Sequence, residues 1–427
     1  MNKNISIKTL GCKLNFSESA AIERLLTEQG YTVKDSNVDV FIINTCAVTE
    51  NAEKKCRQYV RQIKKKHPQA KIVLVGCFSA LENVKSIENE IDLLLGSSDK
   101  MNVVQEINRL FDKEHFIEPT KNGDAFFSSY SIHERTRSFL KVQDGCDYFC
   151  SYCTVAYARG RSRSDSIENV VANARKIVEN GVKEIVLTGV NIGDFKTGKG
   201  EDFFDLLQAI TQVEQLKRLR ISSIEPNLLT KEIVDFVADS DIVLPHFHIP
   251  LQSGCNDILS KMKRRYPCEL FAEKIHYIKE KMHHACIAAD VIVGFPGETE
   301  EQFLETYHFI ESLPLSMLHV FPYSKRLNTL AANMPNHLTT GCKNERTKRL
   351  IRLSDEKKMA FYQENSGKFF HALIESKNEN GFLQGFTKNY IRIELPYNKQ
   401  YINEILRVKL LDISENAIFH ALVSHEI

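Results

Sequence analysis

Short apolar runs alternate with stretches of helical period over the first 120 residues. Ile5 to Leu10 precedes a helix over Ser17 to Gln29, and Val38 to Asn44 precedes one over Glu50 to Lys66. Lys71 to Val75 is followed by a helix near Glu82 and the run Ile91 to Leu95. Strands separated by helices in this way predict a doubly wound parallel sheet. Residues 121–138, with Gly123, Ser128, Ser129 and Ser131, read as a linker. A second alternation spans residues 139–340, with apolar runs at Phe139 to Gln143, Glu184 to Thr188, Arg218 to Ser222, Leu244 to Ile249, Cys286 to Val293 and Ser316 to Phe321. Each is followed by helical material, which predicts a partial TIM barrel of six strand–helix units with its chemistry at the strands' carboxyl ends. A charged connecting helix falls within residues 341–365, from Lys343 to Asn365. From residue 366 to 427 the runs shorten and alternate (Phe369 to Glu375, Gly381 to Phe386, Tyr390 to Leu395, Arg407 to Asp412), which predicts a small antiparallel β-barrel. The expected class is α/β in three domains.

Composition narrows this picture little: 427 residues, 43% hydrophobic and 26% charged, suit a multidomain globular chain. No apolar segment stands behind the first charges and none approaches the roughly 18 residues of a membrane span, so a soluble, cytoplasmic protein with no membrane partner is expected. The net charge of +1 neither favours nor excludes nucleic acid. Basic runs do occur at Lys54, Lys55, Arg57, Arg61, Lys64, Lys65 and Lys66, at Arg159, Arg161 and Arg163, and at Lys261, Lys263, Arg264 and Arg265. Such runs are ordinarily solvated faces. The C-terminal segment has balanced charge, so its composition alone assigns it no RNA.

The cysteines change the reading. There are 11, an odd number in a long chain without a secretory signal, which favours metal or redox chemistry over disulfides. Cys12, Cys46 and Cys77 each follow a strand of the first domain directly. Carboxyl ends of a parallel sheet share one crevice, so three thiols there can converge on one ligand, although buried cysteines also serve as small packing residues. Directly after the first barrel strand stands Gly145-Cys146-Asp147-Tyr148-Phe149-Cys150-Ser151-Tyr152-Cys153, a C-x3-C-x2-C arrangement. Three thiolates can hold an iron–sulfur cube while leaving one iron open, which marks a catalytic rather than a structural site. Structural zinc is the alternative, but it normally takes a fourth ligand.

The C-x3-C-x2-C motif is the signature of the radical S-adenosylmethionine (SAM) superfamily, and its continuation Thr154-Val155-Ala156-Tyr157-Ala158-Arg159-Gly160-Arg161-Ser162-Arg163-Ser164 resembles the methylthiotransferase family. The resemblance covers nearly the whole chain. It implies two 4Fe-4S clusters, one on Cys146, Cys150 and Cys153 with SAM, and an auxiliary one on Cys12, Cys46 and Cys77. It implies a C-terminal TRAM-like barrel in contact with the tRNA anticodon stem-loop. The segment Gly11-Cys12-Lys13-Leu14-Asn15 resembles the branch acting on N-threonylcarbamoyladenosine in tRNA. The isopentenyladenosine branch tends to Gly-Cys-Gln-Met-Asn there, and the ribosomal-protein branch to Gly-Cys-Pro-Lys-Asn. The implied reaction uses SAM twice, as methyl donor to sulfur and as the source of a radical that takes hydrogen from C2 of the adenine. An electron donor such as flavodoxin or ferredoxin and a sulfur source are implied partners, and a monomer is expected.

Candidate SAM contacts are Tyr152, Thr188, Gly189, Asn191, Glu225, Gln252 and Asp290, most of them at barrel strand ends. Gly189 is expected to let the backbone approach the ligand. Each polar side chain could instead hold barrel loops together, and Asp290 could cap an element. Of His246 and His248, at most one is expected to face the barrel interior, and neither these nor His283 and His284 are expected to bind metal. Cys56, Cys255, Cys268, Cys286 and Cys342 lack ligand spacing and are expected to pack. The competing functions are methylthiolation of isopentenyladenosine or of a ribosomal-protein side chain, and a non-catalytic RNA-binding redox sensor.

Overall fold

The computed structural model describes residues 3–46, 50–112, 125–132, 136–377, 381–414 and 416–424. Residues 121–124 and 133–135 of the expected linker lie outside them. The chain opens β1 (Asn4–Thr9), α1 (Lys13–Glu28), β2 (Thr32–Val33), β3 (Val40–Thr45), α2 (Glu50–Lys66), β4 (Lys71–Gly76), β5 (Leu93–Leu95) and α3 (Val103–Asp112). The strands form one parallel sheet in the order β2-β1-β3-β4-β5. Alternate residues feed two cores: Val40, Ile42, Val73 and Val75 meet α1 and α3, while Phe41, Ile43, Ile72 and Leu74 meet α2. Burial on both faces explains why these runs read as continuously apolar. The helix expected near Glu82 is a 3-10 helix over Glu82–Glu90.

The second alternation begins with β6 (Ser129–Tyr130), β7 (Arg137–Lys141), β8 (Gln143–Asp144), α4 (Val155–Arg159), β9 (Arg163–Ser164), α5 (Ile167–Glu179), β10 (Glu184–Thr188), α6 (Phe203–Thr211) and β11 (Arg218–Ile221). It continues with α7 (Lys231–Asp239), β12 (His246–His248), α8 (Asn256–Lys261), α9 (Cys268–Lys281), β13 (Cys286–Val293), α10 (Glu300–Ser312) and β14 (Met317–Pro322). Strands β7, β10 and β11 pair in parallel, as do β12, β13 and β14. Parallel bridges Leu219 to Val243 and Ser223 to His248 join the two triplets into one six-stranded arc. Within the segment read as a linker, β6 pairs antiparallel with β7, and α1 packs on both. On the opposite edge α11 (Thr340–Asn365) runs along β14, tied by Ser354 Oγ to the Leu318 backbone.

The last strands, β15 (Phe369–Lys377), β16 (Leu383–Thr387), β17 (Arg392–Leu395), β18 (Ile405–Ile413) and β19 (Phe419–Val423), close a barrel in the order β15-β16-β17-β19-β18. It docks under the large barrel at the strands' amino ends. There Arg218 donates to the carbonyls of His371, Phe386 and Thr387, and Arg137 pairs with Glu375 at 2.9 Å. Glu184, fully buried, accepts from Arg218 Nε at 2.7 Å and Arg220 Nε at 2.9 Å. Burial alone would raise its pKa, but Arg220, Arg218 and Arg137 together hold it down at about 2. A carboxylate with a lowered folded pKa gives stability that is full above its unfolded value and is lost as pH falls through the folded one. Urea midpoints are therefore expected to fall from about pH 4.5 downward, and to fall less steeply in Glu184→Gln; identical slopes would remove Glu184 as a cause. Among the described residues, no helix is long and apolar enough to cross a membrane.

Candidate active site

Cys12, Cys46 and Cys77 stand just beyond β1, β3 and β4, at one edge of the N-terminal sheet. Asn15 fastens the first two: its Oδ1 accepts from Cys12 Sγ at 3.2 Å, and its Nδ2 donates to Asn44 Oδ1 and to the Thr45 carbonyl at 2.9 and 2.8 Å. Helix α1 begins earlier than its periodicity implied, because Cys12 itself occupies the N-cap. The thiol thus sits at the positive end of a helix dipole, which favours thiolate. Cys12 is open to water-sized space. Yet desolvation by surrounding protein raises its pKa, with Arg159 opposing.

Cys146, Cys150 and Cys153 follow β8 in a tight loop. Gly145 starts it at φ 69°, and a Cβ there would lie 1.9 Å from the Arg161 carbonyl oxygen, so only glycine fits. Backbone N–H groups of Tyr148 and Val155 point at the sulfurs of Cys146 and Cys153, each at 3.4 Å, and Arg264 Nη1 donates to Cys150 Sγ at 3.1 Å. Burial pushes the Cys146 thiol up to about 11 and the Cys153 thiol up to about 12. In neither trio do the sulfurs gather around a single ion. A tetrahedral zinc–thiolate site holds its sulfurs within about 3.8 Å of one another. Among the described residues the only three metal-ligating side chains whose ligand atoms lie within 4.8 Å of one another are His248, Asp290 and His319.

One residue ties Cys77 to Asp144, which stands two positions before Cys146. Arg159, at the end of α4, is 4% exposed and donates from Nε to Cys77 Sγ at 3.1 Å, and from Nη1 to Glu18 at 3.0 Å and to Asp144 at 2.9 Å. Glu18 also holds Lys100 and Lys141, and Asp144 holds Lys141 and Arg163. Burial would raise the Glu18 pKa, but Arg159, Lys100 and Lys141 hold it well below the carboxylate range. This network welds α1 of the first domain to β7, β8 and α4 of the second.

Several sequence readings change here. Arg159 and Arg264, expected in solvated basic runs, are buried in the two cysteine sites, whereas Lys54, Lys55, Arg61, Lys65 and Lys66 on α2 remain exposed. Glu225, a candidate SAM contact, is paired with Arg264. Thr188 spends its hydroxyl on the Leu140 carbonyl at 2.9 Å. Gly189 makes room for Gln143, whose Oε1 would lie 2.9 Å from a Cβ there and which accepts from the N–H groups of Val190 and Asn191. His246 and His248 both face inward, because residues two apart on a strand share a face and the intervening Phe247 packs in the outer core. Asp290 is no cap: it lies within β13 and its Oδ1 joins His248 Nε2 at 2.8 Å and His319 Nδ1 at 3.1 Å.

The other candidates stay at the barrel mouth. Tyr152, Cys153, Gln252 and Asp290 line a cavity of about 230 Å³ together with Phe321 and Tyr323. Gln252 has φ 67° and pairs through its backbone with Asp290 and Ile292. Asn191 is buried beside Tyr148, and its side-chain polar atoms have no close hydrogen-bond partner among the described residues, which leaves them available to a ligand. Of the other cysteines, Cys56, Cys255, Cys268 and Cys286 are buried and Cys342 is partly so.

Residues 140–310 match the radical SAM superfamily, and residues 4–96 match the uncharacterized protein family UPF0004. The chain is 38% identical to the threonylcarbamoyladenosine tRNA methylthiotransferase MtaB of Bacillus subtilis over 95% of its own length and 93% of that protein. It is 32% identical to a tRNA-2-methylthio-N(6)-dimethylallyladenosine synthase of Lachnoclostridium phytofermentans, covering 95% and 92%. Among solved structures, the radical SAM methyltransferase TsrM of Kitasatospora setae shares the fold, with a TM-score of 0.59 at 13% identity over 78% of this chain and 77% of that one.

Proposed function

Because the chain belongs to the radical SAM tRNA methylthiotransferases, we propose that it inserts a methylthio group at C2 of N-threonylcarbamoyladenosine beside the tRNA anticodon. The observation that carries the reading is the buried Arg159, which holds Cys77 of the first domain and Asp144, just ahead of the Cys146 loop of the second, on one network with Glu18. Cys146, Cys150 and Cys153 would hold one 4Fe-4S cluster with SAM, and Cys12, Cys46 and Cys77 a second. Such a cluster with an open iron supplies, when bound, the electron that cleaves the sulfonium of SAM to a carbon radical. An aromatic C–H bond gives no foothold to acid–base groups at neutral pH, so the reaction needs that chemistry.

The chain's own residues position and insulate. Arg264 balances charge at Cys150, and Arg159 does so at Cys77. Burial of Cys46, Cys77 and Cys150 would limit the access of water to a reactive intermediate. Asn191, Tyr152, Gln252 and Asp290 are the side chains placed to hold SAM, whereas Thr188, Gly189 and Glu225 shape the wall. Exposed lysines of α2 would take phosphates of the anticodon stem-loop. The protein would act in the cytoplasm as a monomer, drawing electrons from a flavodoxin- or ferredoxin-type donor and sulfur from a separate source. The identity to the Bacillus subtilis relative, higher than that to the dimethylallyladenosine synthase, favours the threonylcarbamoyl substrate.

Mass spectrometry of nucleosides from tRNA incubated anaerobically with reconstituted protein, SAM and reductant tests the proposal. The expected product is the methylthio derivative of threonylcarbamoyladenosine, absent with Cys146→Ala. SAM cleavage without any modified nucleoside would move the substrate from tRNA to protein.

A further inference from the structure

Inside the large barrel, donors outnumber acceptors. Arg220 on β11 and His246 on β12 are buried against Tyr390, His248 and the half-exposed His319 on β14 meet on Asp290, and Lys13, next to Cys12 on α1, lies near enough to Arg220 to feel its charge. Arg220 is 1% exposed; its Nε is bound to Glu184, but Nη1 and Nη2 have no hydrogen-bond partner among the described residues. His246, 6% exposed, has an equally orphaned Nδ1 and lies on Tyr390, with ring centroids 4.4 Å apart, while the Arg220 guanidinium lies 4.6 Å from the same ring. The acids nearby are committed: Glu184 carries Arg218 as well as Arg220, and Asp290 is shared by His248 and His319. Buried guanidinium donors without acceptors are costly, and a bound group that supplies the acceptors relieves the cost.

We propose that this wall, formed by Lys13, Arg220, His246 and His319, receives a carboxylate borne on the N6 substituent of the substrate adenine. The inference rests on the reading of the protein as a tRNA methylthiotransferase and deepens it. An aliphatic substituent would leave the Arg220 and His246 donors unsatisfied. A substituent ending in carboxylate and hydroxyl offers acceptors to the guanidinium, the ammonium and an imidazole at once. The position of Lys13, directly after Cys12, places the recognition of the substituent beside the site where sulfur would be delivered.

The test is equilibrium binding of the cluster-reconstituted full chain to three anticodon stem-loop RNAs, carrying threonylcarbamoyladenosine, its methyl ester, or dimethylallyladenosine. Wild type is expected to lose about ten- to hundredfold in affinity on esterification, the span of a charged hydrogen bond. Arg220→Met removes a buried ion-pair partner and risks misfolding, so Lys13→Gln and His319→Gln are the variants, with iron content as the control for intact clusters. Both are expected to weaken binding of the free acid while leaving the ester nearly unchanged, which narrows the gap. Equal binding of acid and ester by wild type, or an undiminished gap in both variants, would overturn the inference. If wild type methylthiolates the threonylcarbamoyl RNA yet does not distinguish acid from ester, only the wall's role falls. If it modifies the dimethylallyl RNA instead, the substrate reading falls with it.

Discussion

Cys77→Ala is expected to abolish the methylthio product while sparing the reductive cleavage of SAM to 5′-deoxyadenosine. Cys77 belongs to the trio on the N-terminal sheet, and its sulfur contacts the barrel domain through Arg159. The loop that presents Cys146, Cys150 and Cys153 is held by Tyr148, Val155 and Arg264, none of which touches Cys77. Loss of a ligand should cost at least the roughly hundredfold that loss of an outer-shell partner can cost. Nucleoside mass spectrometry and chromatography of 5′-deoxyadenosine on one reaction separate the two activities. Equal loss of both would mean that the sites are not independent. Cys150→Ala, by contrast, should end both.

Glu18→Gln is expected to destabilise the protein by about 3–5 kcal/mol, the usual cost of removing one partner from a buried ion pair. The carboxylate is fully buried and is shared by Arg159, Lys100 and Lys141. Neutralising it leaves Arg159 and Lys141 to Asp144 and takes from Lys100 the carboxylate it pairs with. The effect should appear as a lowered urea midpoint in the first unfolding transition, since the network joins two domains that need not unfold together. A change below about 1 kcal/mol would show that water or a rearranged Asp144 takes over the charge, and would remove the network as the weld between domains.

The places of the six cysteines just beyond strands were legible because a residue that follows a strand can be located from the strand. The parallel sheet and the barrel arc were legible for a related reason: strands buried on both faces leave unbroken apolar runs. What stayed hidden depends on distance along the chain. Arg159 meets Glu18 141 positions away, and Arg264 meets Cys150 114 positions away, so neither pairing leaves a local pattern. Both arginines therefore read as surface charge. A signal did exist in Lys141 and Asp144, charges set inside the apolar run before Gly145, where burial demands partners. Thr188 and Gly189 also serve the fold, the hydroxyl bonding the Leu140 carbonyl of the neighbouring strand and the glycine leaving room for Gln143. The inward pair His246 and His248 follows from the two-residue period of a strand.

The central claim is that this chain removes the C2 hydrogen of threonylcarbamoyladenosine in order to place a methylthio group there. The most direct measurement uses tRNA deuterated at that carbon, incubated anaerobically with the reconstituted protein, SAM and reductant. Deuterium in 5′-deoxyadenosine, rising in step with the methylthio nucleoside, is the expected result. 5′-Deoxyadenosine free of deuterium, with the adenosine still unmodified, would contradict the account.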